Sequence, residues 1–367
     1  MLKNKDVFRK MEKWARSDFA YDWDSIGLQV GSKQNEVKKV MITLDVLEDV
    51  VDEAIEKNID LIIAHHPLLF SPLQPIDLDS TKGRIVKKLI QHNITVYAAH
   101  TNLDIAFGGV NDMLCDEIGL HNRKVLVETK SEELIKICIY VPDSHVREMK
   151  EALGDAGAGF IGNYSHCQFE TRGTGSFKPL EGTKPFIGKQ NQMEYVDEVK
   201  IETIVEYSQL NEVVQKMLQA HPYEEPAYDL YPLKNKGTQY GLGRIGELSE
   251  TMAIKDFAEM LKEKLDLSHI RLSGDINSKI KKVAVLGGSG EKYWRAAQKK
   301  GADVYITGDM TFHPAQDAWQ ENMNVIDAGH YIEKVMKKAT KKRLEDTFDS
   351  SIEVIVSNVN TDPFQFI

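Results

Sequence analysis

Two widely separated stretches of this chain follow one plan, and that internal repeat limits the folds open to it more than any other feature. Lys38-Lys39-Val40-Met41-Ile42-Thr43 reads as a short buried strand, Val50 to Asn58 as a helix, and Asp60-Leu61-Ile62-Ile63-Ala64 as a second strand ending on His65-His66-Pro67. In the last third, Lys281-Lys282-Val283-Ala284-Val285-Leu286 leads through a helical stretch from Trp294 to Lys300 into Asp303-Val304-Tyr305-Ile306-Thr307-Gly308-Asp309. Lys38 to Asp60 and Lys281 to Asp303 have the same spacing, without a gap. A third strand follows in each half, Thr95-Val96-Tyr97-Ala98-Ala99-His100 and Asn324-Val325-Ile326-Asp327-Ala328-Gly329-His330, and an acidic residue comes after each, Asp104 and Glu333. Two β-α-β-α-β units are expected, with mainly parallel sheets and ligands beyond the carboxyl ends of the strands.

A segment of different rhythm separates the halves. Leu134 to Val141 is strand-like, and Asp143-Ser144 can cap a helix running to about Ala156. A strand near Ser165 to Thr171, a loop from Gly173 to Gly188, a strand Val199 to Tyr207, a helix Leu210 to Ala220 and a strand Ala227 to Tyr231 follow. That order is βαβ-βαβ, as in a ferredoxin-like domain. The fold expected is therefore α/β, with pseudo-symmetric lobes at 1–126 and 234–367 and an inserted ferredoxin-like α+β domain at 127–233. A length of 367 residues allows each part its own core.

If the lobes face one another across their strand ends, His65, His66, His100, Asp104, His313, His330 and Glu333 share a cleft. Each cluster alone has an ordinary alternative. His65-His66 can be a hydrogen-bonded pair at the surface. His100 to Asp104 can be a helix start capped by Asn102 or Asp104. His330 and Glu333, three apart, can be a polar turn or one face of a helix. Together they offer imidazoles and carboxylates without thiolate, a mixture suited to zinc, iron or manganese rather than copper(I). The donors exceed the needs of one tetrahedral zinc, so two divalent ions are expected, zinc first, with Glu333 as the candidate bridge. Such a pair can activate water for hydrolysis. His100 and His313 are then proton shuttles or outer supports, a structural role being equally open for His313.

Other features are less specific. Leu286-Gly287-Gly288-Ser289-Gly290 is either a tight turn or an anion cradle, and it lacks the Lys and Ser/Thr of a P-loop. Tyr223-Glu224-Glu225-Pro226 reads as the start of a strand. Lys334 to Arg343 reads as a solvated helix face. A net charge of −10 opposes extended contact with a phosphate backbone. The three cysteines, Cys115, Cys138 and Cys167, form no zinc knuckle or disulfide framework. No apolar run reaches membrane-spanning length, and the start at Met1-Leu2-Lys3-Asn4-Lys5-Asp6 is unlike a signal peptide, so a cytoplasmic address without membrane contact is expected.

Asp24-Ser25-Ile26-Gly27-Leu28-Gln29-Val30-Gly31, Ala64-His65-His66-Pro67, His100-Thr101-Asn102-Leu103-Asp104, Gly287-Gly288-Ser289-Gly290 and Asp327-Ala328-Gly329-His330 resemble the signature segments of the Nif-three-like dinuclear metal-centre proteins. Gly175-Ser176-Phe177-Lys178-Pro179 and His221-Pro222-Tyr223-Glu224-Glu225-Pro226 resemble the PII- or CutA-like insert of the longer YqfO-like members. The resemblance implies a two-metal site on His65, His66, Asp104, His330 and Glu333 and a ring-shaped homo-oligomer, often a hexamer. It also brings the label of GTP cyclohydrolase type 2 homologue. Under that label a metal-dependent hydrolase acts on a nucleotide or related small molecule, with His100 as the catalytic proton carrier and the Gly287 to Gly290 loop near phosphates. The alternative it leaves is a regulatory or metal-handling scaffold whose insert senses a ligand. Two departures stand out: Glu333 follows His330 by three positions where many relatives have four, and Leu286 stands where relatives often have cysteine.

Overall fold

Strands β1 (Gly27–Val30), β2 (Lys39–Thr43), β3 (Leu61–Ala64) and β4 (Thr95–Ala98) build the first half of the repeat. β5 (His121–Pro142), β6 (Gln168–Phe177), β7 (Glu194–Glu206) and β8 (Tyr228–Ala253) follow, then β9 (Arg271–Ser273), β10 (Lys279–Ser289), β11 (Val304–Gly308), β12 (Asn324–Asp327) and β13 (Glu353–Val356). They come from a computed structural model that describes residues 1–71 and 75–366. The chain divides into two units: Met1–Lys130 with Tyr240–Ile367, and Ser131–Gln239.

In the first unit, β1-β4-β3-β2-β13 form one sheet, in which β13, β2, β3 and β4 are parallel and β1 is antiparallel at the edge. The second half of the repeat gives the order β8-β10-β11-β12-β9, with β10, β11 and β12 parallel and β9 antiparallel beside β12. The repeat extends to individual hydrogen bonds. Asp60 accepts from the backbone of Lys38 and Lys39, each at 2.8 Å, and Asp303 does the same for Lys281 and Lys282, each at 2.8 Å. Both helices of the repeat end in a left-handed residue, Asn58 (φ 55°) and Gly301 (φ 75°), conformations that asparagine and glycine tolerate.

Every residue of β3 and β4 is buried, as expected for parallel strands covered on both faces. Alternate side chains therefore enter different cores. Ile42, Leu61 and Ile63 join Val283, Ile306 and Ile326 in one cluster, while Met41, Ile62 and Val96 meet Val50, Ala54, Ile85 and Leu89 in another. The helices Val110–Ile118 and Val335–Phe348 pack on each other, the first also against β10 and the second against β2. β13 had no counterpart in the sequence reading, because it lies outside the repeat.

The second unit has its own core of Ile137, Ile139, Val141, Met149, Leu153, Val199, Ile201, Val213 and Met217. Its elements run β5, helix Val146–Asp155, β6, β7, helix Leu210–Ala220, β8, with strand order β6-β7-β5-β8. The first part of the expected Gly173 to Gly188 loop is strand instead: β6 runs to Phe177, paired with β7 from Gln168 opposite Thr203 to Phe177 opposite Glu194. Pairing thus overrides the turn tendency of Gly173 and Gly175. Among the described residues no helix is long and apolar enough to cross a membrane.

Candidate metal centre

The histidines and acids singled out above lie just past the carboxyl ends of parallel strands in the first unit. His65 and His66 follow β3, His100 follows β4, and His330 follows β12. Asp104 lies in the short helix Thr101–Ile105, and Glu333 in the 3-10 helix His330–Lys334. Three residues per turn bring positions i and i+3 onto one line, so a spacing of three suits this helix type. His330 Nε2 accordingly lies 3.3 Å from Glu333 Oε2.

Each imidazole is tethered through Nδ1. His65 Nδ1 donates to the Ala99 carbonyl at 2.8 Å, His66 to Asp45 at 2.7 Å, His100 to Asp24 at 2.9 Å and His330 to Asp309 at 2.7 Å. A neutral ring that donates through Nδ1 keeps its lone pair on Nε2, so all four tethers select the same tautomer. The Nε2 atoms converge. Glu333 Oε2 lies 3.1 Å from His66 Nε2 and 3.6 Å from His65 Nε2, and Asp104 Oδ1 is 3.6 Å from His65 Nε2. His65 Nε2 and Asp104 Oδ1 are buried with no hydrogen-bond partner. Orphaned buried polar atoms are costly, and an imidazole nitrogen facing a carboxyl oxygen is an arrangement that a bound cation would satisfy. Among the described residues the donors form three overlapping groups, His65/His66/His100, His66/His330/Glu333 and His65/Asp104/Glu333, each with ligand atoms within 4.8 Å of one another.

The electrostatics agree. Burial alone would raise Glu333, but the neighbouring imidazoles of His65, His330 and His66 outweigh it and hold the carboxyl well below its ordinary range. Asp104 is pushed up to about 8 by burial and by the charge of Glu333. Burial favours neutral His66, yet Asp45 and Glu333 raise it to about 10; Glu333 and Asp309 raise His330, against burial, to about 9. Protons and cations would compete for these groups.

Glycines make room for this arrangement. A Cβ on Gly288 (φ 64°) would lie 2.5 Å from Glu333 Oε1, and one on Gly287 3.1 Å from Glu333 Cγ. Gly287 N donates to Asn111 Oδ1 at 3.0 Å, and Asn111 Nδ2 donates to the Asp104 carbonyl at 3.0 Å, so one buried side chain ties the loop that seats Glu333 to the segment bearing Asp104. The N–H of Gly287 is thereby taken, and the loop serves as a seat for Glu333. His313 falls outside the three groups: it is exposed on the helix Phe312–Gln320, its ring edge-on to Phe312. Asp24, Asp45, Asp309 and Asn111 were given no role from sequence. Asp45 lies two residues past β2 and Asp309 directly follows β11, so the rule that ligands gather at strand ends already pointed to them.

A family model described as Duf34/NIF3 (NGG1p interacting factor 3) matches residues 2–363. A Halalkalibacterium halodurans protein named GTP cyclohydrolase 1 type 2 homolog is 50% identical over 364 residues, covering 98% of each chain. A Bacillus subtilis protein of the same name is 47% identical over 369 residues, covering 100% of this chain and 99% of its own. The crystal structure of a Bacillus cereus protein related to NIF3 superposes with a TM-score of 0.94 at 47% identity, over 100% of this chain and 99% of the other.

Proposed function

The chain belongs to the Duf34/NIF3 family, and from that premise we propose that it is a metal-dependent hydrolase of a nucleotide or related small molecule, working with two divalent ions held by His65, His66, Asp104, His330 and Glu333. The observation that supports this most is the position of Glu333 Oε2, within 3.6 Å of three imidazole Nε2 atoms, beside the unpaired His65 Nε2 and Asp104 Oδ1. His65, Asp104 and Glu333 would hold one ion, and His66, His330 and Glu333 the other. Nitrogen and oxygen donors without thiolate favour zinc, with iron and manganese as alternatives. Bound ions of this kind supply Lewis acidity and water activation.

The remaining chemistry falls to the protein. His100 belongs to the donor group but makes no contact with Glu333 of hydrogen-bond length, and Asp24 holds its Nδ1 so that Nε2 faces the cluster. It is the residue that moves a proton to or from the substrate. The nucleotide class follows the name carried by the relatives. The second unit, with its β6-β7-β5-β8 order, is a ferredoxin-like insert of PII/CutA type, and the working form is a homo-oligomer, a hexamer by resemblance.

The test is to purify wild type and an Asp104→Ala/His330→Ala variant without added metal, confirm that both are folded, and measure metal per chain while screening GTP and other nucleotides for turnover. About two ions in wild type, markedly fewer in the variant and metal-dependent turnover of one compound are expected. Equal metal in both proteins overturns the ligand set. Two ions without turnover of any compound shift the reading to a metal-handling scaffold.

A further inference from the structure

Beside the donors stands a group of aromatic side chains that the ligand set does not use. The turn Tyr21 to Asp24, closed by the Asp24 N–H on the Tyr21 carbonyl at 2.9 Å, presents Trp23 to solvent, 57% exposed. Phe70, four residues after His66, is 52% exposed. The Trp23 ring stacks nearly parallel on Tyr21 (centroids 5.7 Å apart, 11°), lies 5.8 Å from Phe70 and meets His100 edge-on at 6.2 Å. Single exposed aromatics are common on protein surfaces. Here the exposed ring is fastened to the chemistry. The neighbouring residue, Asp24, has a buried side chain that accepts from His100 Nδ1 and from the backbone and hydroxyl of Thr101. Asp24 thereby links the turn that carries Trp23 to the imidazole of His100.

We propose that Trp23 and Phe70 form a ring-binding subsite that takes the planar heteroaromatic part of the substrate and sets its polar edge against His100. The proposal rests on reading the cluster as a catalytic metal centre and names the substrate class that this centre serves. A flat π-face gains by covering the exposed indole, while a sugar or phosphate alone gains little there. The subsite selects for the ring and leaves the bond to be broken to the groups behind it.

Of the four tryptophans, Trp14 and Trp294 are buried and Trp319 is exposed, so a Trp319→Phe background leaves Trp23 as the exposed indole. The metal-loaded protein in that background is titrated with guanosine and, as the ringless control, ribose 5-phosphate, following tryptophan fluorescence. Guanosine binding is then measured by equilibrium dialysis for wild type, Trp23→Ala, Trp23→Phe and Phe70→Ala. A saturable response to guanosine alone is expected, with binding about tenfold weaker in Trp23→Ala, largely restored in Trp23→Phe, and metal per chain unchanged in both. Equal affinity in wild type and Trp23→Ala, or no saturable binding to the metal-loaded wild type, overturns the subsite and leaves the metal centre standing. Trp23-dependent guanosine binding by a wild type that retains no metal overturns the metal-centre reading and leaves the subsite standing.

Discussion

Glu333 can occupy the middle of the donor cluster because Gly287 and Gly288 bring bare backbone against it. An alanine at Gly288 would set its Cβ 2.5 Å from Glu333 Oε1 and would also hold a left-handed φ of 64°. The backbone term costs about 1–2 kcal/mol. The larger effect falls on the site: Gly288→Ala is expected to keep its circular dichroism and to bind metal about 10–100-fold more weakly in a chelator competition, the range seen when outer supports are lost. Wild-type affinity in that variant would show that Glu333 can move aside without loss. The residues that the fold brings together were legible only jointly: each pair alone has an ordinary alternative, and their shared place past buried strand ends is what singled them out. Their tethers were not legible. Strand ends marked Asp45 and Asp309 and nothing marked Asp24, but only the folded chain sets each one against a particular Nδ1.

At the level of elements, equal spacing in the two halves predicted three parallel strands in each, and these are present down to the Asp60 and Asp303 hydrogen bonds. What lay outside the repeat was harder to read. Val354-Ile355-Val356 is too short to distinguish by periodicity, and its place beside β2 is decided by packing from the helix Val335–Phe348. Arg244 is another case, an arginine inside a strand that turns out to be 1% exposed. It grips Asp112 through Nε and Nη2 at 2.9 and 2.8 Å and donates to the carbonyls of Gly241, Gly243 and Ala106. This joins β8 to the start of the helix Val110–Ile118 and to the chain just past Asp104. Asp112→Ala strands a buried guanidinium and is expected to destabilise the first unit by about 3–5 kcal/mol in urea denaturation. A loss below 1 kcal/mol would show that the carbonyls alone satisfy Arg244.

Considered as a whole, the molecule has a second unit with its own core and a pH response of its own. His221 is buried, accepts from the Tyr223 N–H at Nδ1 (3.1 Å) and donates from Nε2 to the Tyr140 carbonyl (2.9 Å), so both nitrogens are committed to the neutral ring. Burial, aided by His145 and opposed by the Tyr140 carbonyl, lowers its pKa. The unfolded chain then takes up the proton first, so stability is complete above the ordinary histidine value of about 6.5 and falls as the pH drops below it. The urea midpoint should be lower at pH 5.5 than at pH 7.5, and the difference should shrink in His221→Gln; an undiminished difference would assign the effect to other groups. Element order in this unit was readable from alternation and caps, whereas the full lengths of β5 and β8, which run from one unit into the other, were not, since nothing in a strand's pattern tells where its partner ends. The donors are also split in time. His65, His66, His100 and Asp104 precede the second unit in the chain, and His330 and Glu333 follow it. A ribosome releases the first four long before the last two, so the proposed site around Glu333 would not be complete until almost the whole chain has emerged. On the proposed reading, metal loading would therefore follow synthesis of nearly the whole chain.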